Sequence, residues 1–137
     1  MSPKNDPSPL ETIADAEEED RRRRHAQQEP GALHGAIAAA ELHWFDAENE
    51  QWVTHRPEAD RWTGFSTRGE AVESDHSGEW RPWSKAFDDA DAPFYRWFAG
   101  GLTNACFNEV DRHVLAGRGE RAAFIFEGDR WDPSKTG

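Results

Sequence analysis

Four arrangements in this 137-residue chain bring together residue types that could do chemistry. Asp111 and His113 lie two positions apart, and a carboxylate beside an imidazole is the pairing a general base needs. On a helix, however, positions i and i+2 point about 200° apart, so the two are expected to bond to nearby backbone rather than to each other. Cys106 falls where a helix is predicted to begin, and a helix N-terminus lowers a thiol pKa. Gly100-Gly101 precedes Asn104, an N-cap candidate, so bare backbone N–H groups there could cradle an anion. A lone Gly-Gly is more often a turn, and that is the reading preferred here. The other histidines, His25, His34, His43, His55 and His76, show no i,i+4 pair and no HExxH spacing, so no metal site is expected.

The elements that would position these residues have to be drawn from an uneven composition. There are 27 acidic and 16 basic residues, a formal charge of −11, and only 36% of residues are hydrophobic. Buried apolar area offsets chain entropy, so a core running the full length is not expected. Seven Trp and eight Phe nevertheless make a compact portion credible. The acidic balance argues against nucleic acid and anionic membrane as partners, because both recruit clustered Lys and Arg. The one basic run, Arg21 to Arg24, directly follows Glu17 to Asp20 and reads as a self-neutralising polar stretch. No apolar signal region and no membrane span is visible, so a cytoplasmic location is the expectation. The single cysteine excludes an intramolecular disulfide and fits a reducing compartment.

Residues 1–30, with four prolines and charge runs, read as a disordered polar tail or a fraying polar helix. Leu33, Ile37, Ala40 and Trp44 recur at helical spacing and predict a helix over residues 32–45. Residues 46–78 sustain neither a helical nor an alternating period and read as an irregular insertion, with 50–54 a weak strand candidate. From Trp80 to Phe98 aromatics and prolines alternate, which suits an extended segment laid over another surface. Asn104 then caps a predicted helix over 105–116, ended by Gly117 in a left-handed conformation. The apolar run 122–126 reads as a strand buried on both faces. Such a strand needs sheet partners that nothing after Gly128 supplies. The expected fold class is α/β: a helical and extended N-terminal arm plus the first strand of a larger domain, incomplete as an isolated chain.

The string from Pro93 to Gly101 (Pro-Phe-Tyr-Arg-Trp-Phe-Ala-Gly-Gly), then Asn104, Asn108, Asp111-Arg112-His113 and Gly117-Arg118-Gly119 before the apolar run, resembles the N-terminal region of AMP-forming acetyl-CoA and propionyl-CoA synthetases. The resemblance spans about residues 78–128, and its wording is most similar to the propionate branch, including propionyl-CoA synthase. The helix ending in Leu42-His43-Trp44-Phe45 also resembles that family's early helix, with residues 46–78 as an insertion before Trp80. On this resemblance, 31–116 is the synthetase-like N-terminal region and 117–137 the truncated start of an AMP-binding domain.

The resemblance implies a ligation in which a short carboxylic acid and ATP form an acyl-adenylate, and CoA then displaces AMP. It implies ATP, Mg²⁺ and CoA for the full-length enzyme, with none bound by this chain alone. The phosphate-binding loop and the later aspartate, arginine and lysine motifs of the family are absent from the sequence. A structural role is therefore carried over to Trp97, Phe98, Gly100, Gly101, Asn104, Asn108, Asp111, Arg112 and His113, with Cys106 a small packed residue. No residue is assigned as catalytic, cofactor-binding or metal-ligating. The expected partner is the missing adenylation domain, in the same chain or a separate one, and exposed aromatics would favour self-association. The alternative is a stand-alone or split-enzyme interaction module that docks onto a separate ligase domain.

Overall fold

The computed structural model describes residues 15–126. Helix α1, Ala16–Gln28, is built from the two charge runs. Asp15 accepts a hydrogen bond from the Glu18 N–H at 2.9 Å and caps the helix, while Glu17, Glu18 and Glu19 occupy the first turn, where the helix dipole favours negative charge. Glu18 pairs with Arg22 at 2.7 Å and Glu19 with Arg23, each four residues on. Thus residues 16–28, left open between disordered tail and polar helix, are helical; residues 1–14 lie outside the described residues. Helix α2, Pro30–Glu41, begins with proline in its first turn, where the missing N–H costs nothing. It buries its small-residue side, Gly35, Ala38 and Ala39.

The helix expected over 32–45 is cut short at Glu41, because Trp44 leaves the helix and enters strand β1, Trp44–Asp46. Its indole N–H instead reaches back to the Ala38 carbonyl at 2.9 Å. The stretch read as an irregular insertion is a four-stranded antiparallel sheet in the order β1-β2-β3-β4, with β2 at Gln51–Arg56, β3 at Arg61–Ser66 and β4 at Ala71–Ser77. Register places Trp44 opposite Val53, Val53 opposite Gly64 and Gly64 opposite Val72. The weak strand candidate at 50–54 falls on β2.

A hairpin of β5, Lys85–Asp88, and β6, Arg96–Ala99, follows and packs on α2 through Phe87 and Ala86. This is the extended aromatic segment of the sequence. The core lies between α2, the sheet and this hairpin: Ala38, Ala39, Trp44, Val53, Trp62 and Trp83 are all at least nine-tenths buried. Trp44 meets Trp83 edge-on at 4.8 Å, and Trp62 meets Trp80 edge-on at 5.1 Å.

Residues 105–116 are helical, as periodicity predicts, but wider than an α-helix over the π-helical Phe107–Asp111, and the chain kinks at Gly117 within Val114–Arg118. Gly117 has φ +78°, the left-handed conformation expected at the helix end. Residues 122–126 do not form a strand, contrary to expectation. No sheet edge in the described residues takes them up, and Phe124, Ile125 and Phe126 are 91–94% exposed. The architecture is mixed α/β with antiparallel sheets. No described helix is long and apolar enough to cross a membrane.

Candidate functional site

The motif residues of the C-terminal helical segment converge on the junction between α2 and β1. Asn104 Oδ1 accepts from the Phe107 N–H at 3.0 Å and caps that segment. Asn108, buried, turns its amide onto His43: Oδ1 accepts from the His43 N–H at 2.7 Å and Nδ2 donates to the His43 carbonyl at 3.0 Å. One side chain therefore satisfies both backbone groups of a buried residue, as a neighbouring strand would. Nδ2 also lies 3.0 Å from Thr103 Oγ1 and 3.1 Å from the Asn104 carbonyl. Arg112 Nη1 donates to the Glu41 carbonyl at 2.6 Å, at the end of α2 where the helix dipole favours a cation. Phe107 completes the junction by stacking on Trp52 at 4.7 Å.

His113 and Asp111 do not bond to each other: Asp111 is exposed, and His113 Nδ1 accepts from Arg118 Nη2. Partial burial, then Arg118 and Arg112, lower the His113 pKa and keep its ring neutral, so it is not a carboxylate-held base. Gly100 has φ +79°, and the Gly101 N–H bonds to the Phe98 carbonyl at 2.9 Å. A Cβ on Gly101 would lie 2.8 Å from Trp44 Cζ3, so this glycine admits the indole of a core residue. The Gly-Gly pair is thus a turn, and its second N–H is already used. Phe98 packs on Trp44 and Trp83 at 5.3 and 5.0 Å. Trp97 lies on the outer face, 45% exposed, with the edge of His34 5.2 Å away. Cys106, expected as a packed residue, is exposed.

Sequence reasoning missed two buried polar groups. His43 is 6% exposed, and burial, followed by the charges of Arg112 and Arg56, lowers its pKa to about 4. Asp46 is buried at the end of β1. Burial opposes its ionisation, but side-chain hydrogen bonds from Asn49 at 2.8 Å and Gln51 at 3.0 Å, with His76 at 3.0 Å, hold its pKa below the usual range. The His76 ring in turn stacks flat on Trp80 at 4.0 Å. The Asp46-x-x-Asn49-x-Gln51 spacing is the available signal, since an aspartate ahead of a turn commonly gathers the donors that follow it.

Around the same junction, a cleft of about 790 Å³ runs between the end of α2, the open face of β2, β3 and β4, and the C-terminal helical segment. Arg56, Arg112, Arg118, His43 and His113 line it, together with Glu41 and Glu73. Among the described residues, no three His, Cys, Asp or Glu side chains gather as a metal would require. The donor set does not fit a Mg²⁺–nucleotide centre, and no step of the implied ligation is derived through one.

Residues 76–108 match the model of the family described as "Acetyl-coenzyme A synthetase N-terminus". That span covers β5, β6 and the start of the C-terminal helical segment; β1, β2, β3 and nearly all of β4 precede it. Acetyl-coenzyme A synthetase of Burkholderia thailandensis is 60% identical over 52 residues, which is 37% of this chain and 8% of that protein. The enzymes of the same name from Burkholderia lata and Paraburkholderia phymatum are 46% and 44% identical over 69 residues, 42% of this chain and 10% of each. The chain thus spans a tenth or less of the length of these curated relatives. What hairpin, glycine turn and capped helix share with them is local and specific: this chain carries a segment similar to the N-terminus of acetyl-coenzyme A synthetases, next to a four-stranded sheet that lies almost wholly outside the family match.

Proposed function

We propose that the chain is the N-terminal packing region of an AMP-forming short-chain acyl-CoA synthetase acting on acetate or propionate in the cytoplasm, and that it has no ligase activity alone. The observation that carries this reading is 60% identity confined to 52 residues, in a chain whose apolar residues Phe94, Trp97, Val110, Phe124, Ile125 and Phe126 are exposed. Large apolar side chains left in solvent in this number mark an interaction surface. On this reading residues 122–126 become a strand when an adenylation domain offers them an edge. That domain supplies the nucleotide, Mg²⁺ and CoA contacts; Asn104, Asn108 and Arg112 fix the angle at which the docking segment leaves the sheet.

The preference for propionate rests on the motif wording alone, whereas the relatives above are named for acetyl-coenzyme A. A second reading, a module that folds independently and docks onto a separate ligase, is favoured by the sheet's own core around Val53 and Trp62, both 0% exposed. The proposal is tested by mixing the full chain with an acetyl-coenzyme A synthetase lacking its matching segment and assaying acyl-CoA formation from acetate and from propionate. Recovery of activity only in the mixture is expected. Pyrophosphate release from ATP by the chain alone would overturn the proposal.

A further inference from the structure

We propose that the cleft between the end of α2, the sheet and the C-terminal helical segment binds a small phosphorylated anion, held by Arg56, Arg112 and Arg118. In a chain of net charge −11, three guanidiniums converge on one cavity. Arg61 and Arg96, elsewhere on the surface, each meet a carboxylate, Glu73 at 2.9 Å and Asp91 at 2.6 Å. The three cleft arginines bond instead to uncharged acceptors. Arg56 Nε reaches only Thr63 Oγ1, at 3.4 Å; Arg118 donates to His113; Arg112 spends one nitrogen on the Glu41 carbonyl. One further donor, the Nε–H of Arg112, is buried with no hydrogen-bond partner, as is the Nδ1 of His43. A buried polar group without a partner is costly, and here both belong to side chains that line the cavity.

Glu73 is engaged by Arg61, which leaves Glu41 as the carboxylate facing three guanidiniums. Glu41, whose charge acts on Arg112, offsets part of this positive charge, and an anion between the guanidiniums converts the remaining repulsion into charge-assisted hydrogen bonds. The planar guanidinium fork matches phosphoryl oxygens in pairs. The occupant is a small molecule and not a polymer or a surface. The cavity is concave and within the range of small-ligand sites, and the acidic remainder of the chain repels nucleic acid and anionic lipid.

The test is calorimetric titration of the full chain with inorganic phosphate, pyrophosphate and a nucleoside diphosphate, at an ionic strength of about 0.1 M to screen diffuse attraction. Saturable one-to-one binding of at least one probe is expected, with the Nε–H resonances of Arg56, Arg112 and Arg118 shifting in NMR spectra. Equal affinity for pyrophosphate and the nucleoside diphosphate would assign recognition to the phosphates alone, and tighter binding of the nucleotide would add a base contact; both support the site. The Arg56→Gln/Arg118→Gln variant, whose replaced side chains lie at the surface, should weaken binding by about tenfold or more with an unchanged circular dichroism spectrum. Arg96→Gln, at an arginine paired with Asp91 away from the cleft, should leave it unchanged. The proposal is overturned if no probe saturates, if Arg96→Gln weakens binding as much as the double variant, or if anionic vesicles or single-stranded RNA displace the probe.

Discussion

At the residue scale the account turns on His43 and the amide that holds it. Replacing Asn108 by Ala strips the His43 N–H of its partner and leaves the His43 carbonyl only the Thr103 hydroxyl, at 3.0 Å. The expected loss is about 1–3 kcal/mol, the cost of leaving a buried polar group unmade, read from urea midpoints. Asn108→Asp keeps the acceptor, loses the donor and should recover only part of that loss. His43 also sets a pH dependence. Its folded pKa of about 4 lies below the ordinary histidine value of 6.5, so between those values the unfolded chain binds more protons. Stability is full above pH 6.5 and falls as pH drops towards 4, by on the order of 3 kcal/mol. His43→Phe should flatten urea midpoints across this window. Asp46 acts lower: its depressed pKa contributes stability present above the ordinary carboxylate value and lost as pH falls through the folded one.

At the element scale, what the sequence disclosed depended on how each element is stabilised. The 105–116 helix was legible because its cap, its spacing and its terminating glycine are all local. Asn104 and Gly117 stand where the structure puts them. The sheet was not legible by hydrophobic period, because its inward positions are not uniformly apolar. In β4 the half-buried side chains are Val72, Ser74 and His76, and in β2 the buried pair Val53 and Thr54 are adjacent in sequence, with Thr54 Oγ1 bonded to the Ala39 carbonyl at 3.0 Å. Short β-prone runs split by four-residue turns were the better signal. Residues 122–126 misled in the opposite way: an apolar run specifies burial, but the edge that buries it has to come from elsewhere. Two predictions belong here. Gly101→Ala pushes a methyl group to 2.8 Å from the Trp44 ring and should cost about 1–3 kcal/mol in thermal or urea unfolding. Replacing Phe124, Ile125 and Phe126 together by Ser should move the midpoint of the isolated chain by less than about 0.5 kcal/mol, since nothing in the described fold covers them, while lowering self-association in sedimentation experiments.

At the scale of the whole molecule, two different kinds of surface meet at one junction. The sheet, α2 and the β5–β6 hairpin enclose a tryptophan core, whereas Phe94, Tyr95 and Trp97, within the matched span 76–108, and Phe124, Ile125 and Phe126, beyond it, stand in solvent. On the function proposed above, these exposed side chains form one side of an interface. The most direct measurement is calorimetric titration of the full chain into an acetyl-coenzyme A synthetase body folded without its matching N-terminal segment, repeated with the triple Ser variant at 124–126. The account predicts saturable one-to-one binding with a negative heat-capacity change, lost in the variant although that variant stays folded. Absence of binding to a demonstrably folded body, or binding that the variant retains in full, would contradict it.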